Sequence, residues 1–143
     1  MERVDVVNVL IFDEPRMNVL MVRNQKGDET YWSLPGGAVE PRETLEQASR
    51  REAKEESGYD VHINELYAVS EVFFASSGHH AMIFTFHADI VGGEMTVADP
   101  DEDIVEVKWV DVATANEIFA NLSVKLKISA ESPYAGYSFY GKV

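Results

Sequence analysis

Residues 36–59 read GGAVEPRETLEQASRREAKEESGY, a turn running into a helix. From Thr44 to Ser57 the stretch has neither Pro nor Gly and consists mostly of good helix formers, and Gly58 stands where a left-handed C-terminal cap belongs. At about 100° per residue, Leu45 and Ala48 share a face with Glu52, Glu55 and Glu56, while Gln47, Arg50, Lys54 and Ser57 take the opposite one. Three acids near the C-terminal end oppose the helix dipole, which favours the reverse order by about 0.3–1 kcal/mol per charge. The like-charge pairs at three and four residues cost a further ~0.2–0.5 kcal/mol each. A hard divalent cation such as Mg²⁺ or Mn²⁺ would reverse that sign, because it prefers carboxylate and carbonyl oxygen. Solvated glutamates partly paired with Arg51 and Lys54 are the bland alternative, and helix geometry alone leaves both open.

The chain around the helix limits what such a site can be. Its 143 residues suit one compact domain, 1–143. At 45% apolar and 26% charged it has globular rather than disordered composition. The start, MERVDVVNVL, lacks the features of a secretory signal, and no run approaches a membrane span, so a cytoplasmic protein away from membranes is expected. With no cysteine, disulfides and thiolate metal sites are excluded, and any metal must be held by oxygen or imidazole. A formal charge of −13 repels long nucleic acid and anionic lipid. An anionic small molecule would need bound cations to offset the acidity.

VDVVNVLIF from Val4 and MNVLMV from Met17 are apolar β-type runs separated by DEPR, which together predict a hairpin. NQKGDET reads as a polar loop, and YWSLPGG as a short strand ending in Pro and two Gly. Further strands are expected at 60–74, with a break or bulge, and at 80–91, with ASSG and VGG as adjoining loops. ADPDED is an acidic loop, IVEVKWV a half-buried strand, and DVATANEIFANL a second helix capped by its Asp. The Tyr- and Gly-rich tail SPYAGYSFYGKV has no clear period and is expected to pack over a pocket or fray. A hairpin and an aromatic tail would suit a homodimer.

The 23 residues from Gly37 to Tyr59 resemble the Nudix box, GX5EX7REUXEEXGU with U a bulky apolar residue. Gly37, Glu43, Arg51, Glu52, Ala53, Glu55, Glu56 and Gly58 fall on its fixed positions without gap or shift. Ala53 is small and Tyr59 aromatic for their positions, and Arg42 stands where a Gly is common. The resemblance implies an α+β fold, a Nudix-type α/β/α sandwich with a central mixed β-sheet. It also implies metal-dependent hydrolysis of a phosphoanhydride in a nucleoside diphosphate linked to another moiety. By position, Glu52, Glu55 and Glu56 would be the metal ligands together with the Gly37 backbone carbonyl, and Mg²⁺, or Mn²⁺, the ion. Arg51 and Glu43 would be the structural pair that orients helix and loop.

Members of the family draw the general base from the box or from a loop outside it. Glu102 and Asp103 are the candidates here, and Glu106, on a strand, is a weaker one. His79 and His80 are expected in an exposed turn, and Trp32 and Trp109 in strand cores. Phe74 or Tyr134 would suit stacking on a base. Marks of the ADP-ribose and dinucleoside-polyphosphate types are absent from FFASSGHH, residues 73–80. The proline-rich NADH-type signature is absent as well. That favours nucleoside triphosphates, oxidised or non-standard ones included. ADP-ribose or nucleotide-sugar hydrolysis follows behind, and a non-catalytic nucleotide sensor is the alternative of another class.

Overall fold

The computed structural model describes residues 1–97, 103–122, 124–131 and 135–143. Eight strands and two helices are described: β1 (Glu2–Ile11), β2 (Asn18–Lys26), β3 (Glu29–Ser33), β4 (Gly36–Ala38), α1 (Leu45–Ser57), β5 (Tyr59–Phe74), β6 (His79–Gly93), β7 (Ile104–Asp111), α2 (Val112–Ala120) and β8 (Gly136–Lys142). They form a five-stranded sheet, β4-β1-β6-β5-β8, and a three-stranded sheet, β3-β2-β7. The larger sheet is mixed, with β1 parallel to β6, β5 parallel to β8, and β4–β1 and β6–β5 antiparallel. Among the described residues, no helix is long and apolar enough to cross a membrane.

The nearly continuous apolar run of β1 has a simple cause: both faces of its second half are covered. Val9 and Ile11 pack with Ala53 of α1, Val61, Ile63 and Ala88. Leu10, pointing the other way, packs with Ala115 and Phe119 of α2, Val19 and Met21. A strand covered on both sides loses the polar alternation of a half-exposed one, and the two helices thereby lie on opposite faces of β1. The fold is mixed α and β with a central mixed sheet, as the box implied.

The expected hairpin of β1 and β2 is not formed. The two strands enter different sheets, and among the described residues the isolated bridge Phe12–Val19 is the one strand-type pairing between the two runs. Ten register pairs tie β1 instead to β6, from Glu2–His79 to Ile11–Ala88. Asp13 redirects the chain between the strands, accepting from the Met17 and Asn18 backbone N–H groups and the Asn18 amide.

The true hairpin lies in the segment read as a polar loop. β2 continues through Asn24–Lys26 and turns at Gly27 (φ 60°) and Asp28 into β3, pairing Lys26 with Glu29. A two-residue turn opening on a positive-φ glycine matches the strand twist. VGG is not a loop either: β6 runs to Gly93, which pairs with Tyr59. Residues 136–142 of the tail neither fray nor drape over a pocket but add β8 beside β5. His79 and His80 open β6 rather than sitting in the turn.

Candidate active site

Helix α1 is secured at both ends. Thr44 accepts from the Gln47 N–H at 3.0 Å while the Gln47 side chain accepts from the Thr44 N–H at 2.9 Å, a reciprocal capping box. At the other end Gly58, at φ 85°, donates to the Lys54 carbonyl at 2.9 Å. A side chain there is excluded twice over, by the left-handed backbone and by the Glu94 carbonyl, which a Cβ would meet at 2.2 Å.

The helix buries Ala48, Ser49, Ala53, Glu56 and Ser57. Ser57 was expected on the outer face. It is buried because small residues let α1 lie flat on the sheet, and its hydroxyl is satisfied by donating to the Ala53 carbonyl at 2.5 Å. Gln47, Arg50 and Lys54 are exposed as expected.

Glu52, Glu55 and Glu56 line one cleft of about 430 Å³ together with Gly36, Gly37, Ala38, Glu40, Arg51 and Asp103. Asn24, Gln25, Lys26 and Tyr31, from the β2–β3 hairpin, complete it. These four were missed in the sequence; the Gly27–Asp28 turn between two runs was the signal that would have placed a hairpin there.

Arg51 organises the acidic side. Its guanidinium reaches Glu43 through two bonds, Nε to Oε2 at 2.7 Å and Nη2 to Oε1 at 2.9 Å. It also donates through Nη1 to Glu52 at 2.8 Å and Glu55 at 3.3 Å, and through Nη2 to the Ala38 carbonyl at 3.1 Å. The bidentate hydrogen bonding of Glu43, reinforced by Glu52, holds Arg51 even more firmly protonated than usual, outweighing the opposing effect of its burial. Reciprocally, Arg51 holds the Glu43 carboxyl below the ordinary carboxylate range. Arg42, just before Glu43, takes φ 67°, the left-handed region that explains why glycine suits this position.

Glu56, 9% exposed, accepts from the Gly36 N–H at 3.0 Å and so ties the helix to β4. Gly37 lies against Glu52, whose Oε1 would stand 2.5 Å from a Cβ on that glycine. Any side chain at Gly37 would fill the space between loop and helix.

Among the described residues, no three carboxylates or imidazoles converge as a ready-made cation cage. The donor chemistry nevertheless fits a hard divalent ion: three carboxylates and backbone carbonyls, with glycine leaving room beside Glu52. Nudix hydrolases generally use divalent metal ions, and Arg51 is the positive charge that Glu52 and Glu55 share in this arrangement.

Asp103 reaches the cleft because its carbonyl accepts from the Gln25 N–H at 2.8 Å. Glu102 lies outside the described residues, as does Tyr134. Glu106 is not brought to the cleft; it pairs with Arg23 at 3.1 Å on the smaller sheet. Nor are the histidines: His80 contacts Glu71 at 2.6 Å and His79 contacts Ser77 at 3.1 Å. Trp32 and Trp109 pack against the two main cores, with Lys108 Nζ 4.6 Å from the centre of the Trp32 ring.

A second cavity, about 330 Å³ and mainly apolar, adjoins the cleft at Tyr31. Leu34, Phe74, Ile83, Phe119, Leu122, Val124 and Leu126 supply its apolar lining, and Asn8 and Ser33 its polar points. One wall belongs to residues 124–131, which have no regular structure and are held by side chains. Asn116 donates to the Ile128 carbonyl at 2.9 Å and accepts from its N–H at 2.7 Å. The Tyr67 hydroxyl donates to the Lys127 carbonyl and accepts from the Ser129 N–H, and Tyr140 donates to the Lys125 carbonyl.

The family model for the NUDIX domain matches residues 2–130. The chain is 34% identical over 109 residues to an 8-oxo-dGDP phosphatase of Danio rerio, covering 74% of this chain and 31% of that protein. It is 30% identical over 102 residues to an ADP-ribose pyrophosphatase of Methanocaldococcus jannaschii, covering 71% and 59%. The match spans 24–36% of the length of three curated relatives, the Danio rerio protein among them. A NUDIX hydrolase from Nitrosomonas europaea superposes with a TM-score of 0.73 at 25% identity, covering 83% of this chain and 79% of that one. With the box complete, the fold matched and the family model covering most of its length, the chain belongs to the Nudix hydrolase family.

Proposed function

We propose that residues 1–143 form one domain acting as a metal-dependent pyrophosphohydrolase on a nucleoside diphosphate linked to another moiety. The foremost substrate is a nucleoside triphosphate, oxidised or non-standard forms included, cleaved to monophosphate and pyrophosphate. The observation that carries this reading is the meeting of two unlike cavities at Tyr31, an acidic cleft with Lys26 at its rim and an apolar pocket of a size for a base. The zebrafish relative, named for 8-oxo-dGDP, favours an oxidised nucleotide, and the archaeal one keeps ADP-ribose as the second reading.

Glu52, Glu55, Glu56 and the Gly37 carbonyl would hold Mg²⁺, with Mn²⁺ as a substitute. Such an ion neutralises diphosphate oxygens and lowers the pKa of an attacking water. The Arg51–Glu43 pair keeps the helix in register with β4 through the Ala38 carbonyl, so it positions the glutamates rather than touching the reacting atoms. Lys26 offers the cleft a positive charge to face a terminal phosphate. Asp103, at the cleft margin, accepts the proton of the attacking water, with Glu102 the alternative base beside it in sequence. Phe74 and Phe119 enclose the base by apolar contact.

The test is monophosphate and pyrophosphate release with Mg²⁺ or Mn²⁺ from nucleoside triphosphates, oxidised nucleotides, ADP-ribose and nucleotide sugars. Metal-dependent turnover is expected, lowered on the order of 10²–10³-fold by Glu55→Gln or Glu56→Gln, since a metal ion contributes several kcal/mol of charge stabilisation. An intact protein that binds nucleotide and metal yet turns over nothing would replace the enzyme with a nucleotide sensor.

A further inference from the structure

One buried oxygen in the larger sheet lacks a partner. Thr85, 1% exposed in β6, has its hydroxyl oxygen without any hydrogen bond, the one such buried side-chain atom among the described residues. An unsatisfied buried polar group calls for a specific explanation, because it forfeits its hydration without replacement. Thr85 stands in register with Asn8 of β1, and Ile83, two residues before it on the same face of β6, lines the apolar cavity. Asn8 lines that cavity too.

Asn8 also abuts Gly36, a residue of the acidic cleft. Its Oδ1 lies against Gly36, 2.5 Å from where a Cβ on that glycine would stand. Gly36 in turn donates its N–H to Glu56. A single glycine thus separates the Asn8 amide from a helix glutamate, at a position where a Cβ would meet first the Val7 carbonyl and then that amide. An amide with adjacent donor and acceptor, placed in a mainly apolar pocket whose other polar point, Ser33, already bonds to the Leu34 carbonyl, fixes the orientation of a planar ligand more than it adds affinity.

We propose that Asn8 is the specificity-determining residue of the apolar cavity, reading the hydrogen-bonding edge of a nucleobase, and that Thr85 is the positioning residue that holds its amide once the base is bound. This rests on the reading of the cavity as the base site. The class of ligand selected is a heteroaromatic ring with donor and acceptor on adjacent atoms, seated with its diphosphate toward Glu56. A ring of the same shape without that edge leaves Asn8 unpaired in an apolar pocket and is rejected. Thr85 gains its missing partner in the bound state.

The experiment compares the intact protein with Asn8→Leu, Thr85→Val and Thr85→Ser. Two measurements are made on each: calorimetric binding of a panel of nucleoside monophosphates, and kcat and KM for the matching triphosphates beside methyl triphosphate, which has no base. Asn8→Leu is expected to weaken the preferred nucleotide by about tenfold or more, through KM, and to flatten the ranking of bases, as loss of a buried hydrogen-bond partner does. Thr85→Val is expected to do the same to a smaller degree without lowering the melting temperature, and Thr85→Ser to restore the ranking. Methyl triphosphate, with no base to read, gives each variant its own baseline, and the change expected of Asn8→Leu is in the ranking of bases relative to that baseline.

An intact protein that does not discriminate among bases overturns the proposal. So does a Thr85→Val protein, folded by circular dichroism, whose ranking and KM match those of the intact chain. Absence of turnover with every substrate would sink the hydrolase reading alone, because monophosphate binding still reports on Asn8 and Thr85.

Discussion

The two cavities that meet at Tyr31 are built on opposite principles. The acidic cleft takes its chemistry from one helix, whose Arg51, Glu52, Glu55 and Glu56 lie within two turns and are held by local caps and a bidentate ion pair. The apolar cavity draws its lining from β1, β3, β5, β6, α2 and the irregular 124–131 segment. Of its strands only β5 and β6, joined by the short 75–78 turn, are neighbours in sequence, and the rest are brought together by the whole fold. One region is written as a motif, the other as a consequence of the whole fold. Reaction type is therefore the readable part of this chain, and substrate choice the part that needs coordinates.

The sharpest way to break this contrast is to disconnect the helix from its anchor. Arg51→Ala removes the guanidinium hydrogen-bonded to Glu43 and Glu52, whose side chains are 13% and 12% exposed. It is expected to cost about 2–3 kcal/mol of unfolding free energy, as for lost hydrogen bonds to charged groups. Turnover should fall with every substrate, because all of them depend on the same glutamates. Arg51→Lys should recover charge but not the two-pronged geometry, and so only part of the loss. Denaturant titration and turnover of the two variants check this; a variant with full activity would show that the cluster is merely a surface ion pair.

On the other side, Asn116→Ala removes both bonds to the Ile128 backbone and is expected to cost about 1–3 kcal/mol. Its functional signature should differ: KM rises for nucleotides while kcat for methyl triphosphate holds. An equal fall in kcat for both would mean that the two cavities are not separable.

The smallest effect is the helix-side share of the acid dependence, since Asp13, Glu65 and Asp111 elsewhere in the fold are also held below their ordinary values. Glu43 is held below its ordinary value of 4.5 by Arg51, so its contribution to stability is present above that value and is lost as pH falls through the lower folded value. Denaturant midpoints measured from pH 6 to pH 3 should show this acid loss in the intact protein and in Asn116→Ala alike. The Arg51-linked share of it should vanish in Arg51→Ala.

The same contrast explains what the sequence disclosed. The bounds of α1 and its Gly58 cap follow from local residue types and were legible, whereas the Arg51–Glu43 pair came only through the resemblance to the box and the Thr44 capping box only from the structure. The partner of β1 was not: Val4–Phe12 announces a strand but not that it lies beside residues 79–88. The nearest apolar run, β2, was taken for its mate because proximity in sequence is the only pairing signal there. Ser57 was misassigned because a wheel marks apolar residues, whereas small side chains can be buried once their hydroxyl has a partner. Asn8 and Tyr31 gave no sign, since a lone Asn in one strand and a Tyr in another are unremarkable until the sheets set them at the rims of one pocket.

The ten parallel register pairs between β1 and β6 also bear on how the molecule is made. Parallel pairing so distant in sequence closes a long loop before it gains any contact, a slow event compared with winding a helix. All of α1 lies inside that loop. During synthesis the helix can form as soon as it emerges, while β1 waits with its apolar side chains uncovered until residues up to Ala88 have been added. Helix signal should therefore return early in refolding and hydrolytic activity late, with the interval between them measuring the docking of the first strand.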